Sequence, residues 1–436
     1  MLPKKIISKI TGRPMVQKII KNIGWLSIDR IIQLFISFTV ILWMIRYLGP
    51  NNWGILNYVW AFTGLFSVFI PLGLNQILFK NLVENPEKKN VLIGTVFYLQ
   101  FLSSIFFIIL TILFAFLFIE DLLLFLFIVI FSFSNIFYAF QTISTYFDSK
   151  VESKYSAISR EVALVIAALI KIYFILFNFS IIYFIFVSLI EQFFLVLSLI
   201  YFYSKTKNNL FKFNFNFLIA KNLLKSSWPL ILSGVAMMIY LRIDQLFVGT
   251  MLSMYDLGVY SVVVKLAEFG NVLPGILIAS FVPSIIINKL NFTLYTTRLT
   301  KLYSLVIFLA IGLFIFLFVF ADLIILFLYG VQYLAAVPIL RIYSIAIIPF
   351  FISVVLAQYF VIENLTKYSF YTTVIGAVTN IVLNLILIPI YGLYGAAIAT
   401  VISYSLLVIS IIFFKKTRGH LLIILNAFNF FKYLKF

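Results

Sequence analysis

Twelve apolar runs fill most of this chain, and each is long enough to supply the ~20 residues an α-helix needs to cross a bilayer. They fall at 23–48, 53–78, 91–118, 122–147, 156–177 and 180–203, then at 226–251, 257–287, 302–328, 333–361, 368–388 and 391–414. Of the 436 residues 64% are hydrophobic and 11% charged, more apolar surface than any soluble core needs. Inside lipid every backbone polar group must be satisfied within its own segment, which leaves helices. The sequence therefore predicts an all-α polytopic membrane protein with 12 transmembrane helices.

The net charge of +18 invites a nucleic-acid reading, but its distribution argues otherwise. The N-terminal segment, the connections after even-numbered spans and the C-terminal tail hold 25 of the 32 Lys and Arg, with five acids. The opposite connections, with the outer end of span nine, hold no Lys or Arg and carry Glu120, Asp121, Asp256 and Asp322. By the positive-inside rule both termini are cytoplasmic, and anionic lipid headgroups account for the basic surface. Membrane lipids are the expected partners and nucleic acid is not. The outer connections are all short, which weighs against a glycan polymerase with a long outer loop.

Two echoes divide the chain. Leu48-(x)5-Gly54 returns as Leu252-(x)5-Gly258, an offset of 204, and Tyr146-Phe147…Lys154-Tyr155-Ser156 returns as Tyr359-Phe360…Lys367-Tyr368-Ser369, an offset of 213. A period of half the chain indicates duplication. Six spans is an even number, so both halves enter the membrane the same way and the repeat is parallel. The expected organisation is a six-helix bundle over 1–203, a cytoplasmic linker over 204–225, a second six-helix bundle over 226–414 and a basic tail over 415–436. Within the linker, 208–225 has the pattern of an interfacial amphipathic helix, and the tail from 419 reads the same way.

No catalytic motif is present. There is no Cys, the single His420 lies in the tail, and no Gly-rich phosphate loop with Lys occurs. No cofactor or metal is expected. The informative residues are ionisable groups inside the spans, each costing at least ~2.5–3.5 kcal/mol at a helix centre without a partner or an aqueous cavity. Arg242, about 24 Å along span seven, and Asp244, some 200° around the same helix, do not face each other. Lys265 and Glu268 in span eight are three apart and positioned to neutralise one another. Asp29 and Arg30 are adjacent in span one. Lys171 and Arg341 lie in outer halves with no acid nearby in sequence, and Arg46 and Arg160 sit at span ends, where an interfacial position is the simpler reading. Glu191 in span six and the Asn380/Asn384 pair in span eleven add polar groups. With Glu161 in span five, the set holds seven cations and five anions. A basic cavity attracts anions, and the planar guanidinium matches phosphate oxygens. Arg30, Arg242, Lys265, Lys171 and Arg341 are the candidate substrate-binding residues. Asp29, Asp244, Glu191 and Glu268 are the coupling or ion-pair candidates.

The stretch Arg46-Tyr47-Leu48-Gly49-Pro50-x-x-Trp53-Gly54-x-x-Asn57-Tyr58 resembles the opening of Wzx-type O-antigen and polysaccharide flippases, within the multidrug/oligosaccharidyl-lipid/polysaccharide exporter superfamily. Span seven with Asp244, followed by Leu257-Gly258-x-Tyr260, is similar to the matching region of their second half. Tyr391-Gly392-x-x-Gly395-Ala396-Ala397 is similar at the start of span twelve. The resemblance implies a MATE-like pair of bundles around a cationic cavity in a bacterial inner membrane. It implies flipping of undecaprenyl-pyrophosphate-linked oligosaccharide to the periplasmic leaflet. It also implies partnership with a polysaccharide polymerase and a chain-length regulator. Arg30 matches a cavity arginine of related flippases by span and depth. A multidrug exporter of the same superfamily is the competing expectation.

Overall fold

The computed structural model describes residues 14–270 and 272–429, and among them every regular element is a helix. Among the described residues nine stretches are long and apolar enough to cross a membrane by length and composition, against the twelve expected. One of them, Ile28–Phe69, covers both the first and second expected spans. Helix α1 (Pro14–Phe66) is broken only at Gly49 (φ 71, ψ 172). The expected loop 49–52 thus shrinks to a single residue. Glycine takes the left-handed φ without a Cβ clash, and the fixed φ of Pro50 suits the first turn of the helix beyond the break. Expected spans five and seven form α6 (Lys154–Leu176) and α8 (Phe217–Met251). Both carry intramembrane charge and neither is among the nine.

The remaining helices of the first half are α2 (Leu74–Glu84), α3 (Lys89–Phe118), α4 (Leu122–Phe133), α5 (Gln141–Ser149) and α7 (Ile181–Lys205). Those of the second half are α9 (Met254–Gly270), α10 (Val272–Ile287), α11 (Phe292–Val319), α12 (Ala321–Tyr329), α13 (Ala336–Tyr343), α14 (Ile347–Ile362), α15 (Thr366–Tyr391) and α16 (Leu393–Ile409), with α17 (His420–Ala427) in the tail. The fourth span of each half is interrupted by tighter helix, at Ser134–Phe140 and at Ser344–Ala346.

The chain gathers into two compact units. The first is Phe62–Val235 with the chain up to Tyr47, and the second is Ala236–Phe436 with Leu48–Ala61. In the first, Leu78, Ile93, Phe147 and Tyr203 form a closed core with Phe213 and Leu223. The last two come from the segment expected as an amphipathic helix. It is instead a short turn (Leu210–Lys212), an extended stretch, and then the start of α8 at Phe217. Backbone pairing to α3 explains the departure: the Asn214 N–H donates to the Asn90 carbonyl at 3.4 Å, which a continuous helix would forbid. The tail also differs from expectation. His420, Ile424 and Ala427 are buried, and Ser304 on α11 donates to the Ala427 carbonyl at 2.7 Å, so protein covers one side of α17.

In the second unit the two copies of the first echo lie on each other. A Cβ added at Gly54 would fall 1.7 Å from the Met254 carbonyl oxygen, and one added at Gly258 would fall 1.8 Å from that of Pro50. Pro50 and Met254, like Gly54 and Gly258, are 204 apart, so the contact has local two-fold symmetry. A glycine at each crossing point allows the backbones to touch, a recurrent device of membrane helices.

Candidate functional site

In the second unit, α8 and α9 carry most of the intramembrane charge. Asp244 is buried, accepts a 2.7 Å hydrogen bond from the Tyr260 hydroxyl, and caps the backbone N–H of Gln245 at 2.8 Å. The Tyr260 hydroxyl lies 3.3 Å from Thr400 Oγ1 on α16. Asp244 and Tyr260, 16 positions apart, are brought together by the α8–α9 hairpin, and α16 adds Thr400.

Helix α15 adds a pair of buried amides. Gly376 on α15 faces Tyr240 of α8 and Leu407 of α16, with a Cβ there 3.1 Å and 3.2 Å from their atoms. Asn380 and Asn384 continue the Gly376 line at i+4 and i+8. Asn384 donates to Asn380 Oδ1 at 3.0 Å, while its own Oδ1 is buried without a donor. Asp244 with the hydroxyls of Tyr260 and Thr400 is a hard, singly charged group of oxygens, chemically suited to a proton or an alkali cation. Among the described residues no group of three or more His, Cys, Asp or Glu offers a transition-metal site.

Beside this buried group lies a half-exposed one. Arg242 Nη1 is 3.3 Å from Glu268 Oε1, and Lys265 Nζ is 3.6 Å from Glu268 Oε2. Two cations therefore share one carboxylate. Lys265 also stands over the Trp60 ring at 5.9 Å. Arg242 and Glu268 border a cavity of about 300 Å³ lined also by Leu241, Tyr343, Phe350 and Tyr404. Arg242 and Asp244 do point apart, each toward a different residue of α9.

The first unit holds its own charged group. Arg160 Nη2 lies 2.6 Å from buried Asp29 Oδ2, and Gln33 donates to Asp29 Oδ1 at 3.0 Å. Arg160, expected at a span end, is thus paired with a buried carboxylate while its own side chain stays 33% exposed. Neighbouring Glu161 has two buried oxygens that accept no hydrogen bond. Lys171 pairs with Glu191 at 3.3 Å. Arg30 is exposed and takes part in none of the ion pairs among the described residues.

Arg341, in the second unit, pairs with Asp322 at 2.5 Å. Lys171 and Arg341 do have acids nearby, contrary to the sequence reading, because the partners sit on adjacent helices 20 and 19 positions away. Sequence reasoning also passed over Thr400 and Gln33. Tyr260 was visible only as part of the Leu257-Gly258-x-Tyr260 spacing.

The sequence profile of the "polysaccharide biosynthesis protein" family matches residues 43–338. No curated protein matches the chain. Among solved structures, an inward-facing multidrug resistance MATE transporter of the MOP superfamily superposes with a TM-score of 0.72 at 14% identity, covering 94% of this chain and 99% of its own. The lipid II flippase MurJ in an inward closed conformation gives 0.68 at 20% identity, covering 94% and 90%. An outward-facing MATE transporter gives 0.62 at 15%, covering 93% and 96%. At these identities the likeness is one of fold: the chain has the all-helical MATE and MurJ architecture.

Proposed function

We propose, from the premise that this chain belongs to the polysaccharide biosynthesis protein family, that it is a membrane transporter and not an enzyme. Its substrate is an undecaprenyl-pyrophosphate-linked oligosaccharide, carried from the cytoplasmic to the periplasmic leaflet of a bacterial inner membrane by alternating access. Both termini are cytoplasmic, and a polysaccharide polymerase and chain-length regulator act beside it.

The observation that carries this reading is the sharing of Glu268 by Arg242 and Lys265 at a cavity wall. One positive charge is left over, half-exposed and next to aromatic surface. A pyrophosphate can displace Glu268 from Arg242 with a bidentate, charge-assisted contact. Arg30, in the first unit, is a separate candidate cation, exposed and outside every ion pair among the described residues. Asp244, with Tyr260 and Thr400, is the coupling site: a proton or alkali cation bound there adds positive charge beside the anion site. Cation and substrate affinities are then linked, each raising the other by the same factor. The MATE and MurJ folds are compatible with this scheme, since both belong to transporters.

The test is complementation of a flippase-null strain. Arg30→Ala and Arg242→Ala, each at normal membrane levels, are expected to leave surface polysaccharide unrestored. Restoration by both variants removes the cation-site reading, and a drug-resistance phenotype without a glycan phenotype replaces it with a multidrug exporter.

A further inference from the structure

The segment leading into α8 has a surface that includes none of the charged groups described above. From Ser204 to Val235 the chain carries Lys205, Lys207, Lys212, Lys221 and Lys225 and no Asp or Glu. One side of this segment is committed to the first unit, where Phe213, Ala220 and Leu223 are buried. The other side presents Phe215, Phe217 and Leu218, which are 47%, 71% and 71% exposed. Lys212, Lys221 and Lys225 are exposed on the same stretch. Along α8, Phe217, Lys221 and Lys225 stand at i, i+4 and i+8 and share one face.

The depth of this surface can be read from α3. The Asn216 N–H donates to Thr95 Oγ1 at 3.1 Å, and the Phe215 ring lies 6.3 Å from that of Tyr98. Gly94 allows the close approach, since a Cβ there would stand 2.6 Å from the Asn214 nitrogen. Helix α3 begins at Lys89, at a connection that the charge distribution assigns to the cytoplasm. Tyr98 is nine residues further, about 13 Å of helical rise. Phe215 and its neighbours therefore lie near the boundary between headgroups and acyl chains rather than out in the cytoplasm. A cytoplasmic protein could not reach apolar groups at that level without displacing lipid. Lysine stems lie along apolar surface and lift their ammonium groups to the headgroups.

We propose that residues 212–225 form a docking surface for the anionic lipids of the cytoplasmic leaflet. Phe215, Phe217 and Leu218 enter the acyl boundary, and Lys212, Lys221 and Lys225 hold negatively charged headgroups, the two contributions that together anchor interfacial segments. Helix α8 continues from this surface to Arg242 and Asp244.

The chain has no cysteine, so Leu218→Cys gives the full-length protein a single thiol for a nitroxide label. The label is read in vesicles of phosphatidylcholine with or without an equal share of phosphatidylglycerol, by collision with oxygen and with a water-soluble nickel chelate. With phosphatidylglycerol, oxygen is expected to exceed the chelate about tenfold, as at a lipid-facing control, Leu102→Cys on α3, whose parent residue is 61% exposed. The ratio is expected to fall severalfold in phosphatidylcholine alone, and equally when Lys212, Lys221 and Lys225 are together changed to Gln. A label at 218 that favours the nickel chelate in both membranes overturns the proposal and leaves the surface to a water-soluble partner. A ratio indifferent to phosphatidylglycerol and to the triple substitution overturns the anionic-lipid assignment. Phe217→Cys repeats the measurement if the first variant does not fold.

Discussion

The crossing of Gly54 and Gly258 makes a quantitative prediction. Alanine at 258 places a methyl 1.8 Å from the Pro50 carbonyl oxygen and 2.6 Å from its carbon, both backbone atoms. Carbon–oxygen contacts in folded proteins rarely fall below about 3 Å, so the two backbones must separate by more than about 1 Å. Nothing nearby yields easily: Trp53, Leu257, Val259 and Tyr260 are all fully buried. Overpacking a closed core usually costs about 1–3 kcal/mol, and a clash with rigid backbone belongs at or above the upper end. Gly258→Ala is thus expected to cost about 3 kcal/mol or more. Gly54→Ala should match it, because its methyl meets the Met254 carbonyl in the symmetric way. The double variant should cost less than the sum, since both methyls open the same contact. Gly312→Ala on α11 is the control: no atom lies within 4 Å of its added methyl, and alanine favours a helix by about 0.5–1 kcal/mol. The assay is the midpoint for loss of the monodisperse protein on heating in detergent. The reasoning is refuted if Gly258→Ala melts no lower than Gly312→Ala.

Three further outcomes are expected from the geometry. Arg160→Ala strands buried Asp29, which loses its 2.6 Å partner, and is expected to cost about 3–5 kcal/mol in the same assay, whereas adding Asp29→Asn recovers part of the loss. Tyr260→Phe removes the hydroxyl that bonds Asp244 at 2.7 Å, at about 1–3 kcal/mol, and should alter the cation dependence of transport without abolishing expression. Burial pushes the His420 imidazole down to about 3, from ~6.5 when exposed, so between those values the undocked tail binds a proton that the docked tail does not. Docking of α17 is therefore complete above pH ~6.5 and weakens as pH falls, by up to about 1.4 kcal/mol per pH unit. Hydrogen exchange in 420–427, corrected for its intrinsic pH dependence, should be faster at pH 5 than at pH 7, and a His420→Phe variant should lose that difference.

What the sequence revealed was local or statistical. Apolar length and the sorting of lysines and arginines act over short windows, so the membrane class and the helical fold were legible. The ion pair of Lys265 and Glu268 was legible too, because three residues apart is one helical face. The partners of Asp29, Lys171 and Arg341 were not: they stand 131, 20 and 19 positions away and meet only when helices pack. Asp244 and Tyr260 are 16 apart across a hairpin, a pairing no helical period encodes. The Gly54 and Gly258 echo was visible as spacing, but its meaning as a backbone contact was not. Duplication specifies equivalent positions without saying which touch. The tail misled for a related reason. An apolar stripe on a short helix marks burial, and whether lipid or protein does the burying is decided by neighbours such as Tyr303 and Tyr359, which hold His420 by a 2.9 Å contact and a 3.5 Å ring stack.

The central claim is a cationic site that carries a pyrophosphate-linked glycolipid across the bilayer. The direct measurement is flipping by the purified protein in vesicles, scored as the fraction of a labelled polyprenyl-pyrophosphate oligosaccharide that becomes accessible to a sugar-modifying enzyme outside. The wild type is expected to expose the buried half of the glycolipid at a rate that depends on a proton or alkali-cation gradient. Arg242→Ala and Asp244→Asn proteins, folded by the detergent assay, are expected to remain near the rate of empty vesicles. Flipping by both variants at the wild-type rate, or none by the wild type under any gradient, would contradict it.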